Sequence, residues 1–248
     1  MRILLVGYGA MGREVERAAL ERGHEIVGRV APHDPGADQR ELTPGVAASA
    51  DVAIEFSLAD VVADNARVYA EAALPAVVGT TGWLEQLSDV ARIFSKGASP
   101  YLYGSNFSIG AHTFFKAVAH LARMLDRLPE YDVIGMEHHH RHKKDSPSGT
   151  ALTVAQLVLD NCTRKKRIVT ERLDRPPRED ELHFVAVRGG EEPGMHQVQA
   201  DSAADTITVR HQARSRQGFA LGSVRAAEWL PGRRGLLTVE EFMTDLLG

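Results

Sequence analysis

A glycine-rich turn between a strand and a helix most constrains what this chain can fold into. The short apolar run 3–6 is typical of a strand buried on both faces, and it leads directly into Gly7-Tyr8-Gly9-Ala10-Met11-Gly12. A helical pattern follows over 13–22, and residues 25–30 have the pattern of a second strand. In this context the G-x-G-x-x-G spacing predicts a dinucleotide-binding turn, because the first two glycines admit a pyrophosphate and the third lets helix and strand pack closely. A glycine turn without a ligand is the alternative.

The alternation of strands and helices continues along the first half of the chain. Strand patterns at 51–56, 76–78 and 101–103 alternate with helical patterns at 59–73 and 84–94. Such a series predicts an α/β fold with a doubly wound parallel (Rossmann) sheet. Ligands of such sheets bind at the carboxyl ends of the strands, where this chain has residues 56–57, 79–82 and 104–107, although each of these segments could be only a turn.

The end of the second strand leaves the choice of coenzyme open. An acidic residue that holds the adenine-side ribose is expected there. This chain has Ala31-Pro32-His33-Asp34 instead. Asp34 could serve from a loop, and Arg29 or His33 could accept a 2′-phosphate, so both NADH and NADPH remain candidates.

After Phe107 the pattern changes. Ser108 can cap a helix, a strand pattern covers 131–136, and a further helix follows Thr150. The strand patterns at 182–187, 196–200 and 206–211 have no helices between them, which predicts a second α+β domain built on an open mixed or antiparallel sheet. The simplest way to bury the exposed face of this sheet is contact with a partner subunit. We therefore predict a dinucleotide-binding domain over 1–107, a substrate-binding and oligomerisation domain over 108–216, and a C-terminal segment, 217–248, that returns to the first domain.

The densest cluster of ionisable residues lies between 137 and 151. Ser148 can cap the helix that follows it, and the backbone N–H groups of Gly149 and Thr150 then offer a seat for a carboxylate or a phosphate. His139 and Lys143 are four residues apart, so they share one side of a strand or a helix and suit proton transfer. A solvated charged loop is the simpler alternative.

A metal site is the third interpretation of this cluster. His138, His140 and His142 would share one face of a strand. We predict no metal, because Arg141, Lys143 and Lys144 repel cations and no carboxylate is suitably interleaved.

Composition and charge narrow the function classes. The net charge of −4 over 248 residues gives no broad electrostatic reason to bind nucleic acid or a membrane. The basic run 163–167 has no interleaved aromatic residues and is interpreted as a solvated connection. Cys162 is the only cysteine, which excludes an intrachain disulfide and fits a reducing cytosol. The apolar start is too short for a signal peptide, and no run approaches membrane-spanning length, so we predict a cytoplasmic protein.

Taken together, these motifs resemble those of the dihydrodipicolinate reductase family, also called 4-hydroxy-tetrahydrodipicolinate reductases. The resemblance covers nearly the whole chain. Its most specific part is His139-His140-Arg141-His142-Lys143, followed by Asp145 and then Pro147-Ser148-Gly149-Thr150-Ala151. The glycine turn, the segments 79–82 and 105–108, and Arg188-Gly189-Gly190 with Gly194 and His196 support it.

The resemblance implies a function and a set of site residues. It implies NAD(P)H-dependent reduction of a cyclic imine dicarboxylate to tetrahydrodipicolinate, in the diaminopimelate route to lysine, by a homotetramer built through the second domain's sheet. His139 would be the proton donor or acceptor and Lys143 the proton donor, while His140, Gly149 and Thr150 would hold the substrate. The cofactor would be held by Gly7, Tyr8, Gly9, Ala10, Met11, Gly12, Gly79, Thr80, Thr81, Gly104, Ser105, Asn106 and Phe107.

The residues themselves support the same chemistry. A dianionic substrate needs cations and helix-end N–H groups, which His140, Lys143, Ser148, Gly149 and Thr150 can supply together. In a straight strand His140 would face away from His139, so both can serve only if the chain bends within the motif or the ligand reaches round it.

Two other functions compete with this one. Another two-domain Rossmann enzyme, such as an amino-acid dehydrogenase, would share the fold and the anion-binding site at the helix start. A redox-sensing regulator that binds NAD(P)H without turning it over would keep the glycine turn but would not need the histidine and lysine cluster.

Overall fold

The structure, a computed structural model, describes residues 1–95 and 99–248. The chain forms two compact units, one made of Met1–Ile109 with Arg216–Gly248 and the other of Gly110–Ser215. Among the described residues, no helix has the length and apolar character needed to cross a membrane.

The regular elements alternate in the first unit and are grouped in the second. The strands are β1 (Arg2–Val6), β2 (Glu25–Val30), β3 (Val52–Glu55), β4 (Ala76–Val78), β5 (Pro100–Tyr103), β6 (Asp132–His139), β7 (Arg167–Val169), β8 (Glu181–Arg188), β9 (Met195–Asp201), β10 (Thr206–Gln212) and β11 (Gly235–Thr238). The α-helices are α1 (Ala10–Glu21), α2 (Pro44–Ala47), α3 (Val62–Glu71), α4 (Leu87–Phe94), α5 (Ile109–Leu125), α6 (Gly149–Asn161), α7 (Gln217–Trp229) and α8 (Val239–Leu247). Short 3-10 turns at Ala59–Val61 and Leu84–Gln86 precede α3 and α4.

A six-stranded parallel sheet organises the first unit, and the prediction of a Rossmann-type fold is confirmed. The strand order is β11-β5-β4-β3-β1-β2, and each described pairing is parallel. Apolar side chains pack on both faces: Ile3 and Leu5 of β1 belong to one core cluster, and Leu4 and Val6 to the other. Burial on both faces explains why the strands have continuous apolar runs.

The edge strand β11 was not predicted from the sequence. It is four residues long, half-buried, and pairs with β5 from Gly235 to Thr238. Thr238 then caps α8 by accepting from the backbone N–H of Glu241, whose side chain accepts from the Thr238 N–H in return.

The second unit is built on a five-stranded mixed sheet, as predicted. Its order is β10-β9-β6-β8-β7, with antiparallel pairing at the β10 end and parallel pairing at the β7 end. Phe114 and Val118 of α5 and Val154 of α6 pack with Phe184 of β8 in one core cluster. These helices cover one face of the sheet.

The prediction of a solvated connection over 163–167 was wrong for Lys165. Its side chain is buried, and its ammonium group lies 2.5 Å from Asp132 Oδ1 and donates to the carbonyls of Glu179 and Glu181. Residues 167–169 form the edge strand β7, which pairs with β8. The buried cation is compensated by one carboxylate and two carbonyls, a long-range arrangement that local composition does not reveal.

Candidate active site

The glycine turn of the first unit has the geometry of a dinucleotide-binding turn. Gly7 has φ +90°, and a Cβ there would lie 2.1 Å from the carbonyl oxygen of Phe56. A Cβ at Gly12 would lie 2.3 Å from the Gly7 carbonyl oxygen. Gly9, the N-cap of α1, has open space around its Cα and no side-chain cap. Backbone N–H groups at this helix start can therefore meet a pyrophosphate, while no side chain fits at positions 7 and 12.

The predicted cofactor segments at the ends of β4 and β5 lie together. Thr80, Thr81, Gly104 and Ser105 line one cavity of about 190 Å³. Gly79 packs against the ring of Phe56, where a Cβ would come within 2.1 Å. The Ser57 N–H donates to Thr80 Oγ1 over 2.8 Å, so that the loops after β3 and β4 hold each other.

A fully buried carboxylate lies under these loops. Glu55, at the end of β3, accepts hydrogen bonds from Ser57 Oγ, from Asn65 Nδ2 at 2.8 Å and from the Tyr69 hydroxyl at 2.8 Å. Burial raises the pKa of Glu55, and these three neutral donors lower it only in part.

Two of the predicted cofactor residues have buried side chains. Phe107 lies in the core and meets Phe56 edge-on, with ring centroids 6.5 Å apart. Tyr8 donates its hydroxyl to Glu16, and the guanidinium of Arg13 lies 4.5 Å above its ring. Asn106 Oδ1 accepts from the Ser108 N–H at 2.9 Å. Contacts of Phe107 and Tyr8 with a coenzyme through their side chains remain predictions.

The end of β2 shows which candidates for the adenine ribose have partners. Arg29, the predicted phosphate ligand, is paired with both Glu16 and Asp38. Asp34 is paired with Arg13 at 2.8 Å, and its backbone carbonyl accepts from Arg40. Because two carboxylates neutralise Arg29, it is the weaker of the two predicted phosphate ligands, Arg29 and His33.

The centre of the second unit's site is Glu137 on β6, which is fully buried. Its Oε1 accepts from the Ser148 N–H at 2.8 Å and from Arg188 Nη2 at 2.7 Å. Its Oε2 accepts from the Ser148 hydroxyl and lies 3.4 Å from His196 Nε2. Burial alone would raise the pKa of Glu137, but the hydrogen bonds from His196, Ser148 and Arg188 outweigh it and hold the pKa far below its usual range.

His139, the predicted proton-transfer residue, lies beside this carboxylate. Its Nδ1 is 3.2 Å from Glu137 Oε2 but makes no hydrogen bond among the described residues, and its ring lies 5.2 Å from that of His196. Burial lowers the pKa of His139 to about 4; the charge of Glu137 opposes this, whereas His196, Lys143 and Arg188 lower the pKa further. At neutral pH the imidazole is therefore uncharged in the ligand-free protein.

The chain bends directly after His139, as the joint use of His139 and His140 requires. The strand β6 ends at His139, and the next residue's N–H bonds the carbonyl of Glu192, outside the strand pairing. Lys143 then closes a turn by donating its N–H to the His140 carbonyl, and its ammonium group lies 2.7 Å from Asp145 Oδ1. Among the described residues, His140 Nδ1 is buried and has no hydrogen-bond partner.

The proposed strand face of His138, His140 and His142 does not form. The strand ends before His140, whose ring lies 6.0 Å from that of the exposed His142, while His138 Nε2 pairs with the carbonyl of Gly189. A carboxylate does lie in this stretch, but it shares a strand face with His139 and not with these three histidines. Glu137 lies two residues before His139, so both side chains share the buried face of the strand.

Ser148 caps the start of α6, as predicted. Its Oγ accepts from the Ala151 N–H at 3.1 Å, and the helix starts at Gly149. Because the same hydroxyl donates to Glu137 and Ser148 is buried, its contribution to substrate binding would come through the helix start that it holds. Gly149 is exposed and Thr150 half-buried, so the first turn remains open to a ligand.

Sequence reasoning gave no role to Glu137, Arg188, His196 or Gly194. Strand pairing brings most of them together. Glu137 of β6 lies opposite His196 of β9, and His139 of β6 lies opposite Arg188 of β8. A Cβ at Gly194 would lie 2.8 Å from His139 Nε2, so only glycine fits there. The sequence signal for Glu137 was its position two residues before His139, which places both side chains on the same face of a strand.

The spacing of Glu137, His139 and His196 is close enough to consider a metal. One ligand atom from each lies within 4.8 Å of the others. Arg188 and Ser148, however, already occupy both oxygens of the carboxylate, and a guanidinium 2.7 Å away disfavours a second cation. The arrangement fits a proton-transfer cluster better than a metal centre.

The fold and these sites define a two-unit oxidoreductase with an NAD(P)-binding Rossmann unit. The family model described as dihydrodipicolinate reductase, N-terminus, matches residues 1–107, and the model for the C-terminus of the same family matches residues 110–243. The chain belongs to the dihydrodipicolinate reductase family.

Individual relatives agree with the family models. The 4-hydroxy-tetrahydrodipicolinate reductase of Christiangramia forsetii is 39% identical over 99% of both chains, and that of Archaeoglobus fulgidus is 36% identical over 98% of this chain and 100% of the relative. Among solved structures, the dipicolinate-bound dihydrodipicolinate reductase of a Paenisporosarcina species matches with a TM-score of 0.74 at 22% identity, over 96% of this chain and 97% of that one. That structural likeness supports the fold.

Proposed function

We propose that this protein reduces 4-hydroxy-tetrahydrodipicolinate, or its dehydrated form dihydrodipicolinate, to tetrahydrodipicolinate with NADH or NADPH in the diaminopimelate route to lysine. The observation that carries the proposal is the cluster at the end of β6, where His139 and the loop of Lys143 lie directly before the open first turn of α6. A regulator that only senses the coenzyme has no need of this cluster.

The first unit supplies the coenzyme site. Gly7 to Gly12 would hold the pyrophosphate at the start of α1, and Gly79 to Thr81 with Gly104 to Phe107 would hold the remainder at the ends of β4 and β5. A reduced nicotinamide, when bound, supplies the hydride for the reaction.

The second unit would supply the anion-binding site. The N–H groups of Gly149 and Thr150 in the first turn of α6 have no partner within the helix, and the helix dipole favours negative charge there. Lys143 and His140 would complete the binding of the dicarboxylate, since His140 Nδ1 is buried and unpaired among the described residues. Cations and helix-end donors together favour a dianion over a monoanion.

Lys143 and His139 would have different parts in proton transfer. The hydroxylated form must first lose water, its hydroxyl leaving with a proton from the adjacent carbon, to give the dehydrated ring. That ring takes hydride at one carbon and a proton at the adjacent carbon, and we assign delivery of this proton to the ammonium group of Lys143. His139 is uncharged at neutral pH because burial lowers its pKa to about 4, so in the free protein it is suited to accept a proton or a hydrogen bond. A bound dianion would favour its imidazolium form.

A coupled assay tests the proposed function. Aspartate semialdehyde and pyruvate are condensed in situ by the preceding enzyme of the route, and the nicotinamide absorbance is followed with NADH and NADPH in turn. We expect absorbance to fall and tetrahydrodipicolinate to form. Coenzyme binding without turnover would favour the regulator, and turnover of amino acids in place of the condensation product would favour an amino-acid dehydrogenase.

We also propose that the protein is a cytoplasmic homotetramer. Ile134 and Met136 of β6 and Val185 and Val187 of β8 lie on the sheet face opposite α5 and α6, where Ile134 is 40% and Val187 44% exposed. Burial of this face against another subunit would remove these side chains from water. Light scattering should show a tetramer that Ile134→Asp dissociates, whereas Ile207→Asp, equally exposed but on the other face, should leave it assembled. A monomeric wild type would contradict the proposal.

A further inference from the structure

We propose that Glu137 is a positioning residue that orients the imidazole of His139 and fixes the start of the substrate-binding helix α6 through one carboxylate. The inference rests on the proposed function and adds to it a residue that touches neither substrate nor coenzyme. Glu137 is fully buried at the end of β6, so it acts through its neighbours.

The two oxygens of Glu137 serve different neighbours. Oε1 accepts from the Ser148 N–H at 2.8 Å and from Arg188 at 2.7 Å. Oε2 accepts from the Ser148 hydroxyl and lies 3.2 Å from His139 Nδ1 and 3.4 Å from His196 Nε2. Arg188 also donates to the Asp145 carbonyl at 2.6 Å. One buried anion thus connects the β6 strand with the residue that caps α6 and, through Arg188, with the loop that carries Lys143.

Glu137 determines which nitrogen of His139 carries the proton. The oxygen lies 3.2 Å from Nδ1 but outside hydrogen-bond geometry, so it acts on the ring as a nearby negative charge, which repels the lone pair of an unprotonated Nδ1 and attracts a protonated Nδ1. The neutral ring should therefore carry its proton on Nδ1 and leave Nε2 as the acceptor. Among the groups that face the ring, His196 from β9, Arg188 from β8 and Lys143 from the loop all disfavour the imidazolium, and Glu137 favours it.

Glu137 also fixes the position of the proposed anion-binding site at the start of α6. Ser148 donates both its N–H and its hydroxyl to the carboxylate, and its Oγ accepts from the Ala151 N–H at 3.1 Å. The direction of the first turn of α6, which presents Gly149 and Thr150, depends on these bonds. Proton transfer and substrate binding are thereby set by the same side chain, which is the geometry that a positioned reaction requires.

The decisive variant is Glu137→Gln, which keeps the shape and removes the charge. We expect kcat to fall about 10- to 100-fold, as when an orienting partner of a site residue is removed. KM for the dicarboxylate should rise several-fold, and the dissociation constant of the coenzyme should stay unchanged. Glu191→Gln, a control at an exposed residue in the loop after β8, should match the wild type.

A spectroscopic measurement separates positioning from simple loss of structure. In histidine-labelled wild-type protein at neutral pH, ¹⁵N–¹H spectra should show His139 protonated on Nδ1, with the signal assigned by its absence in His139→Ala. Glu137→Gln should lose that preference. Ser148→Ala, which keeps the charge, should raise KM and preserve the Nδ1–H signal, so the two effects of the carboxylate are resolved even if Glu137→Gln fails to fold.

Several results would overturn the proposal. His139 protonated on Nε2 in the wild type would do so, as would an unchanged kcat in Glu137→Gln. A chelator that altered the His139 signals would replace the positioning role with a metal site. If the wild type shows no turnover in the coupled assay but keeps the Nδ1–H signal, the proposed function fails while the geometric inference about His139 survives, so the two failures are distinguishable.

Discussion

The two units each bury a glutamate in the last three residues of a strand, and the two carboxylates have opposite electrostatic environments. Glu55 is surrounded by neutral donors, and burial raises its pKa. Glu137 is equally buried but accepts from Arg188, Ser148 and His196, which hold its pKa well below the usual range despite burial. Burial alone therefore does not determine whether a carboxyl group is charged; the charge of its partners does.

The difference follows the chemistry expected of each unit. A coenzyme site needs loops in fixed positions, and Glu55 connects the loop after β3 with α3 through Ser57, Asn65 and Tyr69. A proton-transfer site needs a fixed charge beside an ionisable ring, which Glu137 provides for His139. We therefore propose that the neutral network supports shape alone and that the charged network supports both shape and proton transfer.

The largest effect should come from the two proposed proton-transfer residues, Lys143 and His139. Lys143→Ala and His139→Ala should each lower kcat by about two orders of magnitude or more, as expected on removal of a positioned acid or base. The coenzyme dissociation constant should not change, because the neutral network in the other unit is untouched. Steady-state kinetics and coenzyme fluorescence titration measure the two quantities.

Neighbouring residues provide matched controls for these variants. Lys144→Ala removes an exposed lysine one position away, and His142→Ala removes an exposed histidine of the same loop. Both should keep near-normal turnover. Near-normal turnover in Lys143→Ala or His139→Ala would instead remove that residue from the proton-transfer assignment.

The two glutamates should give opposite pH dependences of stability. The pKa of Glu137 is lowered in the folded state, so its stabilising contribution is present above its unfolded pKa of about 4.3 and is lost as pH falls below it. The pKa of Glu55 is raised, so its contribution is present below about pH 4.3 and is lost as pH rises through the folded value.

Thermal unfolding of Glu137→Gln and Glu55→Gln from pH 3 to 8 tests this contrast. Glu137→Gln should be less stable than the wild type by about 3 kcal/mol at neutral pH, because Arg188 loses its buried partner, and the deficit should shrink below about pH 4. The stability of Glu55→Gln relative to the wild type should increase as pH rises. Parallel curves for the two variants would show that the environments of the two carboxylates do not differ in the way proposed.

The sequence predicted the fold better than it predicted the contacts of the site. The glycine turn and the short apolar runs in β1, β3, β4 and β5 are local signals, and each predicted strand of the first sheet forms. The strands β7 and β11 were missed because both lie at sheet edges and neither has an alternating pattern. Their existence depends on pairing partners distant in the chain.

The site was predicted where its residues are contiguous and missed where they are not. His139, Lys143 and Ser148 lie within ten residues and could be assigned together. Arg188 and His196 join them only through the register of β8 and β9 against β6, which local sequence does not specify. Glu137 lies in the same stretch of sequence, but its importance comes from its contacts with Arg188 and His196, which are distant in the chain.

The smallest expected effect isolates the neutral network of the first unit. Thr80→Val removes the acceptor of the Ser57 N–H, which lies 2.8 Å from Thr80 Oγ1, and so loosens the loop that Glu55 holds through Ser57. Loss of one such hydrogen bond, worth about 1 kcal/mol, should raise KM for the coenzyme about five-fold. Coenzyme titration and initial rates at saturating dicarboxylate measure the change.

Thr80→Ser is the matched control, because it keeps the hydroxyl and should bind coenzyme like the wild type. In Thr80→Val the KM for the dicarboxylate and the His139 Nδ1–H signal should both stay unchanged, since the charged network does not contain this loop. A Thr80→Val variant that altered substrate binding as strongly as coenzyme binding would mean that the two networks are coupled, and the assignment of shape to one and proton transfer to the other would not hold.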